Sequence, residues 1–268
     1  MHFDSHVHSA ASPDSELDPY SAISKLKSKG LGVIFTEHAD FVTPKNGRDE
    51  MAIDFPSTGI DFICDFDIYP SQYRSIRAKY GGTALLGIEI GFSAAFLPLN
   101  TQTADNDYDF VLGAIHFVDG CDVYSQASNM EAWAFCRRYL TYGTKMVNIS
   151  GFFDSLAHID YVARYSKKIN DIFRYDNFPE EFDDLLTAIA DRGLALEINT
   201  SRFGDPNTVK HLTPIYKRFK TLGGKYVTIG SDSHAEWGLG RHYPKALGLA
   251  NMAGLTPVYF KERKLFKC

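Results

Sequence analysis

The chain has 268 residues, 44% hydrophobic and 23% charged, with 28 basic against 33 acidic side chains and a net charge of −5. This is an ordinary globular mixture that excludes intrinsic disorder, fibrous repeats and a disulfide-stapled miniprotein. Mild acidity leaves no global footprint for nucleic acid or an anionic membrane, so an anionic substrate has to be captured by a local site.

The opening stretch, MHFDSHVHSAASPDSE, has neither a basic nor an apolar segment, so no secretory signal is expected. Apolar runs elsewhere are broken well before the ~18 residues that a membrane helix needs. Cys64, Cys121, Cys136 and Cys268 lie far apart and form no C-x-x-C pair. Neither a disulfide framework nor a thiolate zinc site is expected, and a reducing cytoplasm is the expected location.

Strands are predicted over 3–8, 32–36, 84–90, 110–117, 152–158, 194–199 and 226–231, from short β-branched or apolar runs. Helices are predicted between them over 19–29, 70–80, 130–141, 179–192, 208–222 and 243–253. Pro19 follows Asp18, an N-cap type, and Gly30 stands where a terminating glycine belongs. Seven strands alternating with helices imply a parallel α/β fold. An open doubly wound sheet and a closed barrel both satisfy that pattern. Nearly every predicted strand ends in a histidine or an acid, and only a barrel converges all strand C-termini on one mouth. The expectation is therefore a single domain over 1–268, a TIM-like barrel with its site at the C-terminal mouth. Residues 43–68 have weak periodicity and are expected to form a lid or long loop over it.

The site residues follow in the same order. His6 and His8 sit two apart on a strand and point the same way. Asp14 can reach back from the following loop. Glu37 and His38 end the run GVIF. Glu89, inside LLGIEIGF, is a carboxylate in an apolar strand and must be paired, protonated or metal-bound. The same reasoning applies to His116 in VLGAIHFV and His158 in FFDSLAHID. Asp232 and His234 follow YVTIG. Six of the nine histidines thus fall at strand ends beside Asp14, Glu89 and Asp232. Nine nitrogen and oxygen donors exceed what one tetrahedral zinc takes and suit a cluster of two or three ions. His2, His211 and His242 are read as bystanders.

With the H-x-H pair, the acid–His pair, the strand Glu, GAIHFVDG and the closing SDSH in place, the chain resembles the polymerase-and-histidinol-phosphatase (PHP) superfamily. Its histidinol-phosphatase branch is the most similar. The resemblance runs from His6 to His234 and implies a distorted (β/α)7 barrel with a trinuclear site of zinc, iron or manganese. It places His6, His8, Glu89 and Asp232 on one ion, with Glu89 bridging to a second held by His116 and His158. The third falls to Asp14, His38 and His234. Many members of the superfamily have histidine where this chain has Asp14, and oxygen in place of nitrogen shifts preference towards harder ions.

The implied activity is hydrolysis of L-histidinol phosphate by a metal-bridging hydroxide, with Glu89, Asp232 and His234 as catalytic residues. Arg164 and Arg202 are the candidates for binding the phosphate, since guanidinium matches phosphate bidentately. Glu37 is read as orienting a ligand, and Glu197 and Asn199 as orienting ligands or substrate. The alternatives within the same chemistry are a phosphoesterase acting on nucleotides or nucleic acid ends, and a phosphotyrosine phosphatase. The expected partner is a small anionic phosphate ester, with no nucleic acid and no membrane.

Overall fold

The computed structural model describes residues 1–41, 69–127 and 130–268. The lid expected at 43–68 lies outside the described residues. The chain alternates strands and helices as the periodicity predicts. Its first half runs β1 (His2–Val7), α1 (Pro19–Ser28), β2 (Leu31–Asp40), α2 (Tyr69–Tyr80), β3 (Ala84–Gly91), α3 (Leu97–Ala104) and β4 (Phe110–Ala114). A small hairpin follows, β5 (Phe117–Val118) and β6 (Cys121–Asp122), then α4 (Val123–Gln126) and α5 (Ala132–Ile149). The second half is β7 (Ser155–Leu156), α6 (Lys167–Ile172), α7 (Pro179–Asp191), β8 (Ala195–Asn199), α8 (Pro206–Thr221) and β9 (Tyr226–Gly230). It ends in α9 (Tyr243–Ala253), β10 (Thr256–Lys261) and β11 (Lys264–Lys267).

Nine strands form one sheet in the order β1-β2-β3-β4-β7-β8-β9-β10-β11. All neighbours are parallel except the last pair. Among the described residues no ladder joins β1 to β9. β1 meets the segment after β9 through one parallel bridge, Val7 to Ser233. Around it the Asp232 N–H donates to the His6 carbonyl at 2.8 Å and the His8 N–H to the Ser233 carbonyl at 2.9 Å. No helix among the described residues is long and apolar enough to cross a membrane.

Both faces of the sheet are buried, as a parallel sheet requires. Leu31, Val33, Phe35 and Ala39 of β2 point to the helices, with Leu86, Ile88 and Ile90 of β3. The opposite face carries Phe3, Ile34, Leu85, Phe110 and Leu112, covered from one end by Val258 and Phe260. Continuing along that second face by period two leads from Ile34 to His38 and from Leu85 to Glu89. The site thus occupies the C-terminal end of a face whose other end is hydrophobic.

Two local expectations change. Residues 110–117 do not form one strand, because the chain turns at Asp119–Gly120, both at positive φ, into a hairpin. Residues 152–158 give only a two-residue strand, since Phe152 and Phe153 enter the helix-facing core and the Asp154 carboxylate accepts the Val111 N–H. The basic tail forms the β10–β11 hairpin. At its tip the Arg263 side chain donates to Asp154 at 2.7 Å and to the Phe152 carbonyl at 2.6 Å. Its backbone N–H reaches the Asp109 carbonyl at 2.9 Å. This tip ties down the strand ends opposite the site. Replacing Arg263 by Ala is expected to cost about 3 kcal/mol, by leaving Asp154 without its cation; urea unfolding measures it.

Candidate metal centre

β1 delivers two imidazoles, but not by simple alternation from Phe3, which is an odd number of residues before His6. The register shifts between Asp4 and Val7, a bulge that turns His6 and His8 onto the face that Phe3 occupies. Their Nε2 atoms approach to 3.0 Å. The Glu89 carboxylate faces two sets of rings at once. Its Oε1 lies 2.8 Å from His158 Nε2 and 3.4 Å from His116 Nε2. Its Oε2 lies 3.1 Å from His38 Nδ1, 3.4 Å from His6 Nε2 and 3.6 Å from His8 Nε2. Asp232 Oδ1 sits 3.4 Å from His8 and 3.6 Å from His6. On the outer side Asp14 Oδ2 approaches His234 Nε2 at 3.0 Å and His38 Nε2 at 3.4 Å. All nine expected ligands therefore converge on one place.

Two further observations fit cations at this place. Glu89 Oε2 is buried and has no hydrogen-bond partner among the described residues. Donor atoms 3.0–3.6 Å apart match the edges of a tetrahedron with metal–ligand bonds of ~2.1 Å, which are ~3.4 Å long. Four groups of three donors, each within 4.8 Å, could hold an ion: His6–His8–Asp232, His6–Glu89–His158, His38–Glu89–His116 and His8–His38–His234.

The surrounding residues fix which ring nitrogens face inward. His6 Nδ1–H donates to Glu197 at 2.7 Å and His116 Nδ1–H donates to Asp40 at 2.9 Å, leaving both Nε2 atoms turned to the centre. Glu197 also accepts the His158 backbone N–H at 2.7 Å, and Asn199 donates to both Glu197 and Asp232. The Glu37 carboxylate accepts from Ser9 and from the Ser12 hydroxyl, whose oxygen also receives the His38 N–H. Glu37 thus acts through Ser12 and does not enter the cluster. Two glycines make room: a Cβ on Gly91 would strike Asp40 Oδ1 at 1.6 Å, and one on Gly230 would meet Glu197 Oε1 at 2.3 Å. Replacing Glu197 by Gln is expected to lower metal affinity about 10–100-fold, which metal titration measures.

Electrostatics pull neighbouring groups in opposite directions. Burial, with His38 and His234 alongside, holds His8 well below the ordinary imidazole value. Burial also opposes charge on His116, but Asp40 and Glu89 outweigh it and raise the ring to about 9. Against its burial, His6 and His116 hold Glu89 well below the usual carboxylate range. Burial pushes Glu37 up to about 7 despite the bonds from Ser12 and Ser9.

The two arginines divide. Arg164 reaches the cluster, with one nitrogen 2.6 Å from Asp232 Oδ2. Arg202 does not; it is bonded to Asp160 and Asn170. Both nevertheless line one cavity of about 360 Å³ with Asn170, Lys167 and Thr208. Asp40 was missed in the sequence, although its place two residues after His38 in one strand puts it on the same face. Asp4, also missed, accepts the Ser231 and Gly240 N–H groups at 2.8 Å each. Of the bystanders, His2 lies within β1 against the Tyr243 ring, and His242 starts α9 at positive φ.

Residues 4–201 match the family model of the PHP domain. The chain belongs to the PHP domain family. A Clostridium acetobutylicum protein described as a probable histidinol-phosphatase is 35% identical over 267 residues, 98% of each chain. The Lactococcus lactis histidinol-phosphatase is 32% identical over 241 residues, 86% of this chain and 83% of the relative. A crystal structure of histidinol phosphate phosphatase from Lactococcus lactis, complexed with zinc, L-histidinol and phosphate, superposes with a TM-score of 0.86. That match has 29% identity and covers 99% of both chains. The PHP resemblance read from the motifs holds, and with it the parallel α/β fold.

Proposed function

We propose that this PHP protein is a metal-dependent phosphomonoesterase that hydrolyses L-histidinol phosphate to L-histidinol and phosphate. The substrate is supported by the full-length likeness to a protein solved with zinc, L-histidinol and phosphate. The metal dependence is supported by the convergent donors around Glu89. Bound divalent ions supply a hydroxide nucleophile and neutralise phosphoryl oxygens.

The residues divide the remaining work. His6, His8, Glu89 and Asp232 hold one ion, His116 and His158 with Glu89 a second, and Asp14, His38 and His234 a third. The separate sets facing the two Glu89 oxygens support the bridging role. Zinc, iron and manganese are all compatible with these donors. Glu89, Asp232 and His234 are the catalytic residues, and Arg164 and Arg202 orient the phosphate from the shared cavity. Closure of the sheet into a barrel is supported by the bonds between β1 and the segment after β9. Residues 1–268 act as one domain, in the cytoplasm.

The test is steady-state phosphate release from L-histidinol phosphate against a nucleotide panel and a phosphotyrosine peptide. A kcat/KM highest for histidinol phosphate is expected; equal values on all three would sink the dedicated-substrate reading. Arg164→Ala and Arg202→Ala are each expected to raise KM about tenfold or more, by removing a charge-assisted phosphate contact. Unaltered kinetics would remove that arginine from the substrate site.

A further inference from the structure

Two of the inward-facing imidazoles are backed by carboxylates, His6 by Glu197 and His116 by Asp40. His8, fully buried, is backed by a hydroxyl instead: its Nδ1 lies 3.3 Å from Ser12 Oγ. The turn after β1 brings that hydroxyl back to the ring, with the Ser12 N–H donating to the Ser9 carbonyl at 2.8 Å. Ser12 is itself buried, so protein groups take up its bonding capacity.

A hydroxyl has one hydrogen to give and two lone pairs with which to receive. Ser12 gives its hydrogen to Glu37 Oε2 at 2.5 Å. Its oxygen accepts the His38 backbone N–H at 3.2 Å, and the group facing the remaining lone pair is His8 Nδ1. The count makes Nδ1 the protonated nitrogen of His8. Nε2 then keeps its lone pair, and it faces Asp232 at 3.4 Å and Glu89 at 3.6 Å. Glu37 is held to its accepting role by the Ser9 N–H and hydroxyl, 3.1 and 2.6 Å from Oε1. One side chain thus touches residues assigned to two different ions, His8 on the first and His38 on the third. Their rings also lie nearly parallel, centroids 4.1 Å apart at 19°, so neither tilts without meeting the other.

Resting on the metal-dependent phosphatase reading above, we infer that Ser12 is a positioning residue that sets His8 and His38 for two ions at once. Its loss weakens those two ions and spares the one on His116 and His158, since His116 is oriented separately by Asp40. The experiment is zinc titration of the full chain against a competing chelator, with wild-type phosphate release from L-histidinol phosphate followed alongside. In Ser12→Ala two of the three zinc ions are expected to bind about 10–100-fold more weakly and the third as in wild type. Ser12→Thr keeps the hydroxyl and all three affinities. Glu37→Gln is a second variant of nearly unchanged shape. Ser9 retains the amide oxygen, the NH₂ turns towards Ser12, and the same two ions are expected to weaken. Unchanged zinc affinity in both Ser12→Ala and Glu37→Gln, or an equal loss at all three ions, would overturn the positioning role while leaving the phosphatase intact. So would a Ser12→Thr protein that binds zinc as weakly as Ser12→Ala. Wild-type protein that neither binds zinc nor releases phosphate would overturn the phosphatase reading and the inference with it.

Discussion

Replacing Glu89 by Gln is expected to lower kcat/KM for L-histidinol phosphate by at least about 10³-fold and to reduce the metal content of the purified protein. The carboxylate is buried, and each oxygen faces a different set of imidazoles. An amide of nearly the same shape keeps one acceptor and turns an NH₂ donor towards the other set. It also removes the charge that His6 and His116 stabilise. The loss therefore falls on the electrostatics of the whole centre, where such groups are worth most. Phosphate release and elemental analysis on the same preparation measure both effects. Wild-type turnover with wild-type metal would dismiss the bridging role. His116→Ala should follow the same direction, since its Nδ1–H is already committed to Asp40 and only Nε2 faces the centre.

The ligands were legible because each is a local anomaly. A charged or imidazole side chain at the end of an apolar strand carries a desolvation cost that the neighbouring sequence cannot offset. Asp14 is the weakest such signal, in a turn-like SPDSE, and it was read only in company with the others. What supports those ligands was harder to see. Asp40 stands beside an acid–His pair already accounted for, so nothing local marks it. The Glu197 partnership with His6 spans 191 residues, and no pattern along either strand encodes it. The β1 bulge is equally silent: His-x-His reads as shared direction whether or not the strand slips a register before it. Architecture divided the same way. Parallel pairing followed from the alternation of periods, whereas the tail hairpin depends on Asp109 and Asp154 being in place to receive Arg263.

Asp4 carries the other large expected effect, and it connects the fold to the site. Its side chain is fully buried between β1 and the segment after β9. Burial pushes its carboxyl up, opposed by the bonds from Ser231 and Gly240. Those two backbone donors have no route to water, so Asp4→Ala leaves each unpaired at about 1–3 kcal/mol. The expected destabilisation is about 2–6 kcal/mol, read as a lower urea midpoint in metal-free protein. The same seam sets His6 opposite Asp232, through the 2.8 Å bond from the Asp232 N–H to the His6 carbonyl. Loosening it should weaken metal binding as well as stability, although Asp4 contacts no proposed ion. Asp4→Asn retains one acceptor and should recover part of both losses. A stable Asp4→Ala protein with unchanged metal affinity would show that the seam is held by its backbone bonds alone.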